Sequence, residues 1–428
     1  MKHTVAEHHL AGGASGLVVH VPGSDVVSLQ VRFNSGFQFA DHRTYELPHV
    51  LEHLLATVTR KHPGPNEFHI EAQKNGAYVN ALTSIDVNGY VYECADFEFD
   101  RILDLVEEQV AEPLFAPEPL KAELGNVKEE LTRNSTQHAS VCSILLGERV
   151  FPHLLMDYDK RIAQLPGIHL DAVQRHYEQT HTSANARFFV AGNFPDKGEA
   201  VVARLNRIFR RLPTGQRLER SRAIGRAVEQ PVVTPRDISQ LYYRVMLYFG
   251  ELTEPERRAA TLLRMVLTGG MAARVYGQAR QRGLAYAVGG AGHAEPGNSS
   301  FGFTGYVTPE NARPLFELMT QEFGAVRRGE VTARELDAVK DLVIGSIKRS
   351  TQTVGDVLSW YTDPYDGSGE IRDFDKSLEL LRQVRPDEVV AVADKAAREG
   401  RSGMSFLGKV TTAEAEEYQG MLSTLRHT

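Results

Sequence analysis

The chain has 428 residues, 42% of them hydrophobic and 24% charged, with a net charge of −7. That length sustains two or three domains with a sizeable core, and the acidic balance argues against a nucleic-acid binder, which is usually basic. No apolar run approaches a membrane span, and the opening MKHTVAEHHLAGGASG lacks the apolar stretch that export requires, so a cytoplasmic protein with no membrane partner is expected.

Val26 to Phe33 alternates apolar and polar residues and predicts a strand. Next comes Glu46-Leu47-Pro48-His49-Val50-Leu51-Glu52-His53, containing H-x-x-E-H, the inverted zinc-peptidase motif. On a helix, residues four apart share a face, so His49 and His53 reach one metal ion while Glu52 stands beside it. Neutral imidazoles suit zinc, and a carboxylate that is not a ligand suits a general base. Pro48 is compatible with a first helical turn, where its missing N–H is not needed.

Ala77 to Cys94 reads as paired strands, Phe99 to Val110 as a helix, and Pro119 to Thr132 as a long charged helix. Within the last, Glu123 and Glu130 lie two helical turns apart on one face, whereas Glu129 points elsewhere, toward solvent. Catalytic zinc held by two histidines takes one carboxylate and keeps a water position open. Glu130 is the expected third ligand, and Glu123 is expected to orient a histidine by hydrogen bonding. Cys94 and Cys142 stand in no metal or redox spacing and read as buried thiols. His42, His62, His69, His138, His153, His181 and His293 have no partner four residues away and are expected at the surface or in loops.

Pro213, Gly215 and Gly225 lie among many charges and predict a linker over 213–230. The order of elements then repeats. Gln240 to Tyr248 is a strand, Ala285 to Val307 a second strand pair, and Asn311 to Phe323 and Thr332 to Lys348 are helices. At the place of H-x-x-E-H the second half has Ala260 to Leu267, with neither His nor Glu. The expected fold class is α+β, two similar halves, each a mainly antiparallel sheet with helices packed on one face. Residues 1–212 would be a zinc-bearing catalytic domain and 231–428 a diverged repeat without a metal site.

HVLEH, followed by NGAYVNALTS (Asn75 to Ser84) and NVKEELTRN (Asn126 to Asn134), resembles the pitrilysin/insulinase family of inverzincin peptidases, which includes the mitochondrial processing peptidase type. The interval from His53 to Glu130 (130 − 53 = 77 residues) is close to the family's spacing, and Glu123 matches its additional glutamate. Gly269 to Tyr276 and Arg282-Gly283-Leu284-Ala285-Tyr286 extend the likeness into the second half, so it covers nearly the whole chain. The resemblance implies one Zn²⁺ per chain and a zinc endopeptidase that takes peptides or unfolded segments as an extended strand along Asn80 and Ala81. It also implies a clamshell chamber built from two chains, and a role for Tyr286 in stabilising an oxyanion.

The family's arginine seven residues before that tyrosine is replaced by Ala279, with Arg280 and Arg282 nearby. The expected partner is therefore a homologous subunit supplying the Arg/Tyr pair, with a homodimer as the alternative. A non-catalytic or regulatory subunit of a peptidase-like assembly is the competing functional class.

Overall fold

The computed structural model describes residues 2–221, 223, 225–295 and 298–426; Arg222 and Ile224 of the expected linker lie outside them. Strands β1 (Thr4–His9), β2 (Ser15–His20), β3 (Val26–Asn34), β4 (Tyr78–Thr83), β5 (Val87–Ala95) and β6 (Ala186–Gly192) form one sheet in the order β1-β2-β6-β3-β5-β4. All neighbours in it are antiparallel except β2 and β6.

Period-two alternation decides what each face of this sheet meets. Val27, Leu29, Val31 and Phe33 of β3 share a core with Leu51 and Leu54 of the helix Leu47–Thr57 and with Val106 of the helix Phe99–Ala111. On the other face, Leu17 and Val19 of β2 and Phe189 and Ala191 of β6 pack against Val357, Leu358 and Tyr361 of the helix Val354–Ser368. That helix is also tied down by charge. Buried Asp366 accepts hydrogen bonds from Arg217 and Arg220, with Arg32 of β3 at 3.8 Å.

The second sheet consists of β7 (Val232–Pro235), β8 (Leu241–Phe249), β9 (Ala287–Ala291), β10 (Ala294–Glu295), β11 (Asn298–Val307) and β12 (Arg401–Gly408). Its order is β10-β11-β8-β12-β7, with β9 also pairing with β11. Here β12 runs parallel to β7 and antiparallel to β8, as β6 does to β2 and β3. Met246 and Tyr248 on one face meet Leu146 and Val150 of the helix His138–Val150. The opposite face carries Tyr243, Val245 and Leu247, which join the main core of this unit. The two halves are thus the same α+β arrangement, as the sequence pattern predicts, but each sheet carries helices on both faces rather than on one.

The halves are not consecutive stretches, however. One compact unit is Met1–Arg133, Tyr158–Ser221 and Lys348–Arg372; the other is Asn134–Asp157, Arg222–Ile347 and Asp373–Thr428. The division at 213–230 leaves the second face of each sheet bare. Each face is closed by a helix encoded in the opposite half of the sequence, His138–Val150 for one sheet and Val354–Ser368 for the other. Among the described residues, no helix is long and apolar enough to cross a membrane.

Candidate metal centre

The helix Leu47–Thr57 buries Leu47, Val50, Leu51, Leu54 and Leu55, and this anchoring turns His49 and His53 toward one side. Their rings stand 4.7 Å apart between centroids and nearly perpendicular, at 81°. Each ring is held from behind through Nδ1, and each by a different carboxylate. Glu46 Oε2 lies 2.9 Å from His49 Nδ1, and Glu123 Oε2 lies 3.0 Å from His53 Nδ1. An imidazole donating from Nδ1 leaves the Nε2 lone pair for a metal.

The helix Pro117–Ser135 supplies two of the carboxylates. Buried Glu123 accepts from Asn126 Nδ2 at 3.1 Å and Thr57 Oγ1 at 3.0 Å, so hydrogen bonds fix its orientation. Two turns on, Glu130 Oε2 stands 3.6 Å from His49 Nε2 and 3.6 Å from His53 Nε2. Those distances exceed a hydrogen bond. They lie near the edge of a zinc tetrahedron, about 3.4 Å for ligands about 2.0–2.1 Å from the ion. Exposed Glu129 takes no part.

Glu52 is buried, and its Oε2 accepts from Thr83 Oγ1 at 3.2 Å. Thr83 is held in turn by Asn88 Nδ2 at 2.7 Å, and the same amide reaches the carbonyl of Pro48 at 3.2 Å. Among the described residues, His49, Glu52 and His53 also bring one possible ligand atom each within 4.8 Å of one another. Chemistry favours Glu130 over Glu52 as the third ligand. Glu130 Oε2 sits equally far from both Nε2 atoms, whereas an oxygen of Glu52 is already engaged by Thr83.

Electrostatics points the same way. Burial pulls the His53 imidazole down, but its hydrogen bond to Glu123 and the nearby Glu130 carboxylate more than offset this and push it up to about 10. His49 is likewise raised against its burial by Glu130 and Glu46. The histidines, with His49 first, hold the Glu130 carboxyl far below the usual range, and burial raises Glu52. A cluster that draws cations this strongly suits a divalent ion. Residues His49, His53 and Glu130 therefore fit zinc.

These groups line a cavity of about 610 Å³, whose wall includes Asn80 and Ala81 of β4, the strand that ends the sheet. Tyr286 is not among the lining residues. It belongs to the other unit, is 69% exposed, and lines a separate cavity of about 300 Å³. The Arg280 guanidinium lies 4.4 Å from its ring centroid, while Ala279 is fully buried and Arg282 exposed. An arginine at 279 would point into the core, and the cation meets the ring from the next position instead.

One histidine expectation changes. His181 is fully buried, not at the surface: its Nε2 lies 2.9 Å from the Tyr90 hydroxyl, its ring stacks on Phe33, and burial keeps it well below the ordinary imidazole range. His69 is exposed, as expected, and lines the cavity beside His49 and His53. The sequence reading also passed over Glu46 as a His49 partner, and Arg161, which donates to Glu46 from 115 residues away. A glutamate three residues before the first histidine was the one visible signal. Cys94 and Cys142 are both free and buried, as expected.

Residues 17–153, which contain His49, Glu52, His53, Glu123 and Glu130, match the family model for insulinase (Peptidase family M16). Residues 167–343 match that of the peptidase M16 inactive domain. The chain is 24% identical over 384 residues to an uncharacterized zinc protease of Streptomyces coelicolor, covering 86% of this chain and 81% of that protein. It is 21% identical over 347 residues to the uncharacterized zinc protease YmxG of Bacillus subtilis, covering 78% and 81%. Among solved structures, a peptidase M16 inactive domain from Pseudomonas fluorescens aligns with a TM-score of 0.83 at 16% identity, covering 95% of this chain and 98% of that one. A protease from Helicobacter pylori aligns with 0.82, also at 16% identity, covering 95% and 100%.

Proposed function

The chain belongs to the pitrilysin/insulinase family of peptidases, and from that premise we propose that it is a zinc-dependent endopeptidase whose metal is held by His49, His53 and Glu130. One observation carries the reading: two Nε2 atoms and one carboxylate oxygen converge at 3.6 Å beside a buried Glu52. Zinc bound there supplies a Lewis acid that acidifies water and polarises a peptide carbonyl.

Glu52 takes a proton from the attacking water and returns it to the leaving amine. Its burial raises its proton affinity, which suits both halves of that transfer. Thr83 and Asn88 keep the carboxylate at the edge of the metal pocket. A substrate joins β4 as an extended strand through main-chain hydrogen bonds near Asn80 and Ala81, a mode that favours peptides and unfolded segments. Tyr286 donates to the oxyanion, from this chain or from a second one.

The working assembly is a pair of chains, with a homologous subunit supplying the Arg/Tyr pair. The stacking of Arg280 on Tyr286 favours a second reading, a self-sufficient homodimer, because this chain then carries a displaced version of the pair. The test is to purify the chain alone and measure its zinc content and its cleavage of an unstructured peptide mixture with and without chelator. One zinc per chain with chelator-sensitive cleavage supports the endopeptidase. Bound zinc with no cleavage points to a non-catalytic subunit or one awaiting its partner.

A further inference from the structure

We infer that Glu46 and Arg161 form a buried positioning pair that orients His49 for zinc, a role that rests on His49 being a ligand. Glu46 is fully buried and uses both carboxylate oxygens: Oε2 takes the Nδ1 side of His49 at 2.9 Å, and Oε1 accepts from Arg161 Nε. Arg161 is fixed in its turn. Its guanidinium lies over the rings of Phe37 at 4.8 Å, Tyr158 at 5.5 Å and Tyr45 at 5.6 Å. Gln164, one turn further along the helix Tyr158–Gln164, accepts from the Tyr45 N–H at 3.0 Å and donates to the His42 carbonyl at 2.8 Å. The segment leading into the metal helix is thereby clamped from one side.

A buried ion pair is a weak source of stability, because the desolvation of two charges consumes most of their attraction. If Glu46 and Arg161 served the fold alone, apolar side chains of similar volume would replace them without loss. The orientation of the pair supplies a different role. Glu46 fixes the His49 tautomer with Nδ1 as donor, aims Nε2 at Glu130, and increases the basicity of the ring. His53 has Glu123 with Thr57 and Asn126 for the same task, so the two histidines are held by independent devices.

The test measures zinc affinity by chelator competition and the absorption spectrum of the Co²⁺-substituted protein. Both are compared with the thermal midpoint of the metal-free protein. Two variants are used: the double apolar replacement Glu46→Leu with Arg161→Met, and the isosteric Glu46→Gln, which keeps the inference testable if the first does not fold. The expected result in both variants is a zinc affinity lower by about 10–100-fold with a shifted Co²⁺ spectrum; the metal-free midpoint of the double variant equals or exceeds that of the parent, whereas Glu46→Gln, which leaves Arg161 without its carboxylate, lowers it. Affinity within about twofold of the parent in the folded variants overturns the inference, as does a loss of affinity in the double variant matched by a fall in its metal-free midpoint. A folded parent that binds no zinc removes the reading of His49 as a ligand, and this inference with it.

Discussion

The two sheets share strand order and helix placement, yet differ in what fills the space behind the first helix. In one unit the helix Leu47–Thr57 carries His49, Glu52 and His53, and the helix Pro117–Ser135 brings Glu123 and Glu130. In the other, the helix Glu254–Thr268 buries Ala259, Leu262, Leu263, Val266 and Leu267, and the helix Ala333–Arg349 buries Leu336 and Val343. Positions 336 and 343 have the same seven-residue spacing as 123 and 130, filled with hydrocarbon instead of carboxylate. The scaffold therefore does not require the polar set. Buried carboxylates and imidazoles are costly without partners, so a fold that manages without them in one copy supports the proposed chemical role of the set in the other.

The largest break in that comparison is Glu52→Gln. Peptide cleavage should fall by roughly 10²–10⁴-fold while the zinc content stays at the parent level, read by metal analysis beside a peptide assay. Loss of zinc in that variant would make Glu52 a ligand. Next, Glu123→Gln should weaken zinc binding by about 10–100-fold in a chelator competition. The same change at Glu335, on the corresponding helix of the other unit, should leave zinc binding unchanged.

The pH dependence follows from the histidine cluster. In the metal-free protein His53 is raised to about 10 from its ordinary 6.5, so its contribution to stability is full below about pH 6.5 and fades as pH rises toward 10. Glu130 is lowered, so its contribution is present above its ordinary 4.5 and is lost in acid. Zinc must displace the imidazole proton. The rise in melting temperature caused by zinc should therefore grow from pH 5.5 to pH 8, as scanning calorimetry would show. A zinc-induced shift independent of pH would sink the assignment of His53 as a ligand. The smallest effect concerns the fold itself. Asp366→Asn leaves Arg217 and Arg220 without their carboxylate and should cost about 1–3 kcal/mol in chemical unfolding, reduced by their partial exposure.

Much of this was legible in the residues. The strand Val26–Asn34, the metal helix and the two-turn spacing of Glu123 and Glu130 all follow from periodicity, which depends only on near neighbours. The repeat was legible because both halves carry the same sequence of periods. What stayed hidden depends on distance along the chain. Nothing near Arg161 announces Glu46, and the burial of His181 depends on Tyr90 and Phe33, far away in sequence. The helix His138–Val150 displays one apolar face, with Val141, Leu146 and Val150, but amphipathicity does not say which sheet that face will cover.

The exchange of helices bears on how the protein is made. The β2 and β6 face that carries Leu17, Val19, Phe189 and Ala191 is complete once residue 192 has emerged from the ribosome, but its cover begins at residue 354. At ~5–20 residues per second, the 161 residues between them (193–353) take on the order of ten seconds or more. Through that interval a nascent chain displays an uncovered apolar sheet face, a natural client surface for a chaperone. A fragment ending near residue 212 would display it permanently.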